Sequence, residues 1–333
     1  MTDRVEGSTP SLSGAAASAR LRLAARDGET VPRDSAAGGA LSPDSSLSDA
    51  VAVTLSDCLN RFSAHAAALR QRYDAEAVHQ TRVALRRLRA LLGLIRSAVP
   101  CAARGEISAR AREVASALGA ARDWDVLCEG LERDAAELAG SEPALYALLD
   151  EAELRRFKAQ DEARLTIAAP ATQAFEAQLR EFIARRGWLE GAEGIEEEGS
   201  ARAFSAKALH RLHRQAEKHC AEAERASAEE LHRARIAVKK LRYAAELFQD
   251  LFPGAKVRAY QRRLAKTQEH LGAANDLDTA KRLLGEVAEA DKSQQCGLAV
   301  KFLQKMRKQC DRKIIRSARG SGRRFRRLEP FWD

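Results

Sequence analysis

Residues 79–100 read HQTRVALRRLRALLGLIRSAVP, and residues 232–253 read HRARIAVKKLRYAAELFQDLFP. The second stretch repeats the first at an offset of 153 residues. Over residues 79–125, 15 of 47 positions are identical at this offset without a gap. Chance does not produce such a match, so we infer that the chain contains a duplicated unit. The offset is too long for a solenoid repeat and favours two halves related by a pseudo-twofold axis.

Each copy has the pattern of an amphipathic helix with a cationic side and an apolar side, at about 100° per residue. The cationic sides carry His79, Arg82, Arg86 and Arg89 in the first copy and His232, Arg235, Lys239 and Arg242 in the second. The apolar sides carry Leu85, Leu88, Leu91, Leu92 and Ile95, and Val238, Leu241, Ala244, Ala245 and Phe248. Each cationic side spans an arc of roughly 80°. We therefore expect each copy to bury one side against its own half and to leave the other for a polar partner.

The composition favours an all-α protein. Apolar residues make up 45% of the chain, charged residues 31% and aromatic residues 5%, which suits amphipathic helices better than a β-sandwich. The six cysteines lack the spacing of a metal site, so we expect reduced thiols and neither a metal nor another cofactor. No stretch approaches 18 apolar residues, and the first residues lack a secretory signal, which predicts a cytoplasmic protein without a membrane segment.

The chain divides at changes in composition. Residues 1–48 are rich in Ser, Gly, Ala, Asp and Pro and are predicted to form a disordered arm. Residues 49–333 are predicted to form the folded domain, with a first half at about 49–186, a hinge at 187–200 and a second half at about 201–333. We expect helices at about 50–73, 76–98, 104–118, 123–138, 143–167, 171–186, 201–225, 229–251, 255–271, 276–290 and 293–318.

Local signals predict where these helices begin and end. Ser48 and Asp49 are predicted to cap the first helix, and Gly119 and Gly272 to interrupt the helical run after each copy. The Asp-x-Asp pairs at 123–125 and 276–278 then stand at helix starts, where capping accounts for them.

The net charge of +9 indicates an anionic partner. The first copy contains five arginines and no acidic residue, and like charges at helical spacing destabilise a helix by a few tenths of a kcal/mol per pair. One interpretation is that Asp123, Asp125, Asp276, Asp278 and acids of neighbouring helices neutralise the cationic sides within each half. The interpretation we favour is that the two cationic sides converge across the pseudo-twofold axis into one channel for an extended polyanion.

The two copies, each followed by an LGAxxDxD element at 118–125 and 271–278, resemble the paired signatures of the CHAD family of histidine-containing α-helical domains. The stretches AFSAKALHRLHRQ at 203–215 and RRFRRLEPFW at 323–332 are also similar to that family. The resemblance covers about residues 50–333. It implies duplicated helical bundles, two four-helix-like halves related by pseudo-twofold symmetry, that bind inorganic polyphosphate in a basic groove or pore without catalysis.

Carried onto this sequence, the resemblance implies a polyphosphate-binding set drawn from both copies. The implied ligands are His79, Arg82, Arg86, Arg87, Arg89, His232, Arg235, Lys239, Lys240 and Arg242, with Arg61 and Arg214 of second rank and Arg122 uncertain because its counterpart is Asn275. Arginine offers planar forks to phosphate and lysine a point charge. A histidine beside a bound anion is drawn toward its cationic form and can then donate from both ring nitrogens. The alternative for each histidine is a contact with a neighbouring backbone carbonyl.

Some members of the family fuse this domain to a triphosphate-tunnel enzyme. The first 50 residues are too short for such a barrel and contain no ExExK motif, so we expect a stand-alone, non-enzymatic domain associated with polyphosphate granules.

Two alternatives stay open at this point. Nonspecific nucleic-acid binding fits the basic helices and the arginine-rich end, but the repeated copies lack interleaved aromatic residues for base stacking. A metal-dependent phosphohydrolase could use the Asp-x-Asp pairs with the histidines, but no accompanying His-Asp pair has metal-ligand spacing.

Overall fold

The structure, a computed structural model, is built from amphipathic helices, as the sequence predicts. It describes residues 42, 44–97, 101–138, 143–190, 200–223, 227–252, 254–291 and 294–332. These residues contain no β-strand beyond one isolated bridge between Ser46 and Ser200. Their α-helices are α1 Leu47–Gln71, α2 Ala75–Leu94, α3 Ala102–Leu138, α4 Pro143–Ala168, α5 Pro170–Ala184, α6 Ala201–Glu222, α7 Ala228–Leu247, α8 Ala255–Ala290 and α9 Gln295–Phe325. The all-α prediction is confirmed.

Some predicted features lie outside the described residues. They are the N-terminal arm up to residue 41, the stretch 191–199 of the predicted hinge, and the helix-stopping prolines Pro100 and Pro253. The two repeated helices themselves are described, and short 3₁₀ turns follow them at Ile95–Ser97 and Gln249–Leu251.

The helices of the two halves meet in equivalent pairs. At the offset of 153 residues, α1 corresponds to α6, α2 to α7, α3 to α8 and α4 to α9. Each helix contacts its own counterpart, in addition to its neighbours within the same half. A pseudo-twofold arrangement of a duplicated unit predicts contacts of this kind. The repeated helices α2 and α7 therefore lie against one another.

The apolar sides of α2 and α7 are buried as predicted. Leu88 on α2 and Leu241 on α7 occupy equivalent positions, and both are almost fully removed from solvent. The rest of the predicted apolar positions are buried too: Leu85, Leu91, Leu92, Ile95, Val238, Ala244, Ala245 and Phe248. Burial of each large aliphatic side chain stabilises the fold by roughly 1.5–3 kcal/mol, which holds both helices in register with their own halves.

The helices α3 and α8 are continuous, so the predicted breaks at Gly119 and Gly272 are wrong. A glycine inside a helix costs about 1 kcal/mol relative to alanine. On α3 that cost is offset by burial on both sides of the glycine, at Leu118, Ala121 and Leu127. The Asp-x-Asp pairs consequently lie in helix interiors, and the prediction that they cap helices is also wrong.

The first helix begins earlier than predicted. Its N-cap is Ser46, whose side chain accepts a hydrogen bond from the Asp49 backbone amide at 3.0 Å, so the predicted cap at Ser48 and Asp49 is wrong. The Ser48 hydroxyl instead accepts hydrogen bonds from the Trp188 indole and the Arg186 guanidinium, each at 3.1 Å. Ser48 therefore ties the start of the first helix to the segment that follows α5.

The C-terminal end buries its aromatic side chains and exposes its arginines. Phe325 and Trp332 are buried, and the Phe331 ring lies 5.4 Å from that of Phe252. The four arginines of the same stretch, Arg323, Arg324, Arg326 and Arg327, are exposed. The aromatic side chains therefore anchor the end of α9 against the second half while the charges stay in water.

Candidate functional site

A cavity of about 220 Å³ lies where the cationic sides of α2 and α7 face α3, α8 and α9. We call it the central cavity. Its polar lining residues are His79, Arg82 and Arg86 from α2, Arg122, Asp123, Arg133, Asp134 and Glu137 from α3, Arg235 and Lys239 from α7, Asn275, Asp276 and Thr279 from α8, and Arg307, Cys310 and Asp311 from α9. Both halves thus contribute side chains to one site.

Five of the predicted ligand residues line this cavity together: His79, Arg82, Arg86, Arg235 and Lys239. In each copy they lie within about two turns of the repeated helix, between residues 79 and 86 on α2 and between residues 235 and 239 on α7. The contact between α2 and α7 brings the two cationic sides together, although residues 82 and 235 are 153 positions apart.

Arg86 and Arg235 each have a buried hydrogen-bond donor that faces no acceptor in the part of the chain that the structure describes. The Nε atom of each is buried and has no hydrogen-bond partner among the described residues. A buried donor left without an acceptor costs about 1–3 kcal/mol. The Arg86 guanidinium also lies 5.8 Å from the centre of the Tyr243 ring on α7, so it reaches across from one half to the other. Because both arginines line the cavity, an anion in it would lie beside both guanidinium groups.

Arg87 and Arg242 are not brought into the cavity. Both lie beside the carboxylate of Glu246: Arg242 Nε donates to Glu246 Oε1 at 2.6 Å, and Arg87 Nη2 lies 3.9 Å from Glu246 Oε2. Arg242 is only 5% exposed. These two predicted ligands therefore form an ion cluster between the halves, which neutralises part of the predicted cationic sides.

Three further predicted ligands lie beside the cavity or away from it. Arg89 packs near Arg112, and burial, assisted by that like charge, lowers the pKa of its guanidinium. Lys240 is exposed and does not line the cavity. His232 is exposed, and its Nδ1 lies 3.0 Å from Oδ1 of Asn275, which does line the cavity. His232 therefore stands at the edge of the site, hydrogen-bonded to an amide instead of a backbone carbonyl.

The second-rank residues also differ from one another. Arg61 pairs with Asp57, four residues earlier on α1, with Nε 3.0 Å from Oδ1. Its counterpart Arg214 is exposed on α6. Neither lines the central cavity, and their role in binding stays a prediction.

Sequence reasoning missed some of the charges in the cavity. Arg133 and Arg307 line it, as does Arg122, which the sequence left uncertain. Arg122, Arg133 and Glu137 are spaced by 11 and four residues along α3 and so share one helical face, which is a signal that the sequence contains. Arg307 had no comparable signal, because only packing places α9 beside α3.

Carboxylates line the cavity beside these cations. Among the described residues, seven Lys and Arg side chains and one histidine face the cavity with five acids, leaving an excess of positive charge. Some of these charges are paired: Arg307 contacts Asp134, and Asp311 lies 3.1 Å from Lys281. The ion pairs hold α9 against α3 and α8, and the remaining excess favours an anionic ligand.

The two Asp-x-Asp pairs are divided among different environments. Asp125 is fully buried and accepts hydrogen bonds from Tyr73 at 2.6 Å, Arg156 at 2.9 Å and Gln160 at 2.8 Å. Burial, together with the hydrogen bond to this carboxylate, raises the pKa of Tyr73. The counterpart Asp278 is exposed. Asp125 is thus a structural carboxylate that links α3, α4 and the α1–α2 connection.

Asp123 and Asp276 both line the central cavity. In the part of the chain that the structure describes, no group of three or more His, Cys, Asp or Glu side chains is arranged to hold a metal ion. The site is therefore best described as a mixed but predominantly cationic surface that could receive an anion.

A family model described as the CHAD domain matches residues 54–285, which is more than half of the chain. The chain belongs to the CHAD domain family. Both repeated helices and the whole of α3 lie within the matched range. No curated protein matches the chain significantly.

Solved structures agree with this assignment. The crystal structure of the CHAD domain from the plant Ricinus communis is 30% identical in sequence, covers 86% of this chain and 95% of that chain, and has a TM-score of 0.71. PptA from Streptomyces chartreusis is 17% identical, covers 84% of this chain and 98% of that chain, has a TM-score of 0.63 and shares the fold.

Among the described helices, none combines the length and apolarity needed to cross a lipid bilayer.

Proposed function

We propose that this CHAD domain binds inorganic polyphosphate in the central cavity and does not catalyse its breakdown. The CHAD family is associated with polyphosphate binding. The observation that carries the proposal is the convergence of Arg86 and Arg235, one from each repeat, with buried Nε donors that lack an acceptor among the described residues. A polyanion in the cavity would lie against both guanidinium groups and balance their charge.

The chemistry of the lining agrees with a phosphate polymer. The planar guanidinium group of an arginine can donate to two phosphate oxygens at once. Lys239 provides a point charge with little directional preference. Each unit of polyphosphate presents charged oxygens and no base edge, so contacts of this kind are sufficient for recognition. The ligand set that we propose is therefore His79, Arg82, Arg86, Arg235 and Lys239, with His232 at the edge.

Nucleic acid is a weaker candidate for the cavity. Its lining among the described residues contains no Phe, Tyr or Trp side chain on which a base could stack. Duplex DNA or single-stranded RNA would then be held by phosphate contacts alone, and its binding would fall steeply with salt.

The test is a calorimetric titration of the full chain with long-chain polyphosphate, duplex DNA and single-stranded RNA at two salt concentrations. The cavity variant is Arg86→Gln/Arg235→Gln/Lys239→Gln. A matched control, Lys207→Gln/Arg211→Gln/Lys218→Gln, removes the same charge from exposed residues of α6. Charged hydrogen bonds contribute about 1.5–3 kcal/mol each, so we expect the cavity variant to bind polyphosphate at least about a hundredfold more weakly.

The control variant should keep most of the polyphosphate affinity. Equal losses in both variants, or equal affinity for all three polymers that collapses with salt, would refute the proposal in favour of nonspecific charge attraction. Release of phosphate during the titration would refute the non-catalytic part.

We also propose that the protein associates with polyphosphate granules in the cytoplasm, because granules present this ligand at high density. A fluorescently tagged wild-type chain should concentrate at granules, and the tagged cavity variant should stay diffuse. Retention of the variant at granules would point to recruitment by another component.

A further inference from the structure

The fourth helix exposes a row of large apolar side chains. Four of them fall within an arc of about 100° on α4 and follow the helix for about 29 Å. They are Tyr146, Leu154, Phe157 and Leu165, which are between 47% and 70% exposed. We call this row the α4 stripe. It leaves roughly 400 Å² of apolar side chain in contact with water, and exposed patches of this size are often interaction sites.

The fold does not require apolar side chains at these positions, as the second half shows. The buried residues of α4 match those of α9 at an offset of 151 residues, so that Leu145, Leu148 and Ala152 correspond to Cys296, Ala299 and Leu303. At this offset the α4 stripe corresponds to Gly297, Lys305, Lys308 and Arg316. The outer face of the helix is therefore apolar in the first half and cationic in the second. Packing within a half does not explain the difference.

The spacing of the α4 stripe is symmetric about its own centre. Tyr146 and Leu165 lie equally far from the point between residues 155 and 156, and so do Leu154 and Phe157. A twofold axis through that point would place the α4 helices of two copies antiparallel. Tyr146 of one copy would then lie level with Leu165 of the other. A contact between identical copies needs such a surface, because the same patch must complement itself.

The charged residues beside the stripe are compatible with this arrangement. Asp150 and Asp161 are exposed on the same face of α4, and each would lie level with the other in the second copy. Asp150 would also lie within one turn of Lys158 and Arg164 of that copy, both of which are exposed. Arg164 Nη1 already lies 3.5 Å from Asp161 Oδ1 on its own helix. Each end of the contact therefore combines two carboxylates with two cations.

The area of the surface fits a dimer that dissociates on dilution. The α4 stripes and their charged neighbours from two copies would bury roughly 1,200 Å², which is at the lower end for specific protein interfaces. Helices that cross at about 20° stay in contact over several turns, so the whole stripe can be covered by one partner helix.

We propose that the α4 stripe is the contact surface of a homodimer, in which a second copy of this chain packs its own α4 against it, antiparallel, around a twofold axis. No described residue of α4 lines the central cavity, so this contact does not depend on the proposed function.

The first test is the oligomeric state of the full chain, measured by sedimentation velocity from about 1 to 100 µM. The mass should rise with concentration from that of one chain toward that of two. Leu154→Lys/Phe157→Lys introduces the lysines that α9 carries at the corresponding positions, so the variant should fold. Its dimer should dissociate at a concentration at least about tenfold higher, because two charges per copy would be buried at the axis.

The matched control for this variant is Ile236→Lys/Met306→Lys, which replaces two exposed apolar residues of α7 and α9. It should dimerise like the wild type. Circular dichroism should show the same helix content in all three proteins. A wild type that stays monomeric at 100 µM, or equal effects of the two double variants on dimerisation, would overturn the proposal.

Cysteine crosslinking tests the antiparallel geometry separately. Tyr146→Cys and Leu165→Cys place a thiol at opposite ends of the stripe. Under mild oxidation, a mixture of the two variants should form a crosslinked dimer, and each variant alone should not exceed the wild type. Crosslinking of either variant alone to the level of the mixture would exclude the antiparallel contact. A monomeric wild type that binds lipid vesicles, with binding lost in Leu154→Lys/Phe157→Lys, would assign the α4 stripe to a membrane surface instead.

Discussion

Gly119 on α3 lies against Arg82 on α2 so closely that a Cβ atom on Gly119 would be 2.6 Å from Arg82 Nη1. The same Nη1 donates to the backbone carbonyl of Ala115, one turn earlier on α3, at 3.3 Å. The Arg82 guanidinium thus lies along the backbone of α3 and reaches the central cavity in the space that the missing side chain leaves.

Gly119→Ala should therefore weaken polyphosphate binding without unfolding the protein. The added methyl group displaces the end of a flexible side chain, while alanine improves helix propensity by up to about 1 kcal/mol. We expect affinity to fall several-fold and the free energy of unfolding to stay equal or rise. Calorimetric titration and urea denaturation measure the two effects.

Gly272, at the equivalent position of α8, is the matched control for this substitution. A Cβ there would have nothing within 4 Å. Gly272→Ala should raise the free energy of unfolding by about 1 kcal/mol and leave polyphosphate affinity unchanged. The same change of affinity in both variants would contradict the role that we assign to Gly119.

The carboxylates in the cavity should oppose the binding of polyanions. Asp123→Asn/Asp276→Asn removes two negative charges from the cavity wall, so we expect several-fold tighter polyphosphate binding at low salt. Asp278→Asn, at an exposed position outside the cavity, should have little effect. Magnesium-dependent phosphate release by the wild type that disappears in the double variant would instead support the phosphohydrolase alternative.

The Glu246 cluster should contribute to stability and not to polyphosphate binding. Glu246→Gln removes the carboxylate that accepts a hydrogen bond from the buried Arg242 and lies near Arg87, and breaking a buried ion pair is strongly destabilising. We expect the free energy of unfolding to fall by about 3 kcal/mol, as measured by urea denaturation.

Glu229→Gln is the control for that measurement, because the pair between Glu229 and Arg233 is exposed. Its removal should change the free energy of unfolding by less than about 1 kcal/mol. If both variants lost equal stability, the Glu246 cluster would have no special structural role.

Glu176 should make the stability of the protein depend on pH. Burial raises the pKa of this carboxyl, but hydrogen bonds from Ser63 at 2.6 Å and Arg70 at 3.0 Å outweigh it and hold the pKa below its ordinary value. Because the folded-state pKa is depressed, the stabilisation is present above the unfolded-state value of about 4.3 and is lost as pH falls through the folded-state pKa.

Glu176→Gln should therefore lower the melting temperature near pH 7 and make its decline between about pH 5 and pH 3 shallower. Plotted against pH, the melting temperatures of the variant and the wild type should converge at the acid end. Glu181→Gln, which removes an exposed pair with Arg185, is the control and should follow the wild type throughout. If the melting temperatures of Glu176→Gln and the wild type declined in parallel with pH, Glu176 would not be the source of the pH dependence.

Much of the fold could be predicted from residue periodicity. The apolar sides of α2 and α7 are buried at the expected positions, since a spacing of three and four residues determines which side chains share a helix face. The breaks expected at Gly119 and Gly272 were wrong because a local propensity cost of about 1 kcal/mol is smaller than the stabilisation from packing along α3 and α8.

The candidate site could be predicted only in part. Periodicity placed Arg82 and Arg86 on one cationic side, and both line the central cavity. Arg242 belongs to the cationic side of the other copy, yet Glu246, one turn later on the same helix, accepts its hydrogen bond. A helical arc of about 80° is wide. Residues at one edge of it can face a cavity while residues at the other edge pack against a neighbouring helix.

The amino-acid sequence by itself determined the helical class, the duplication and the existence of two cationic helices, because periodicity and repetition are properties of the chain in one dimension. Only the tertiary structure decided that Arg86 and Arg235 share a cavity and that Asp123 and Asp276 line it. Those relationships depend on distances between helices far apart in the chain. Such distances are set by how the buried sides of all the helices pack together.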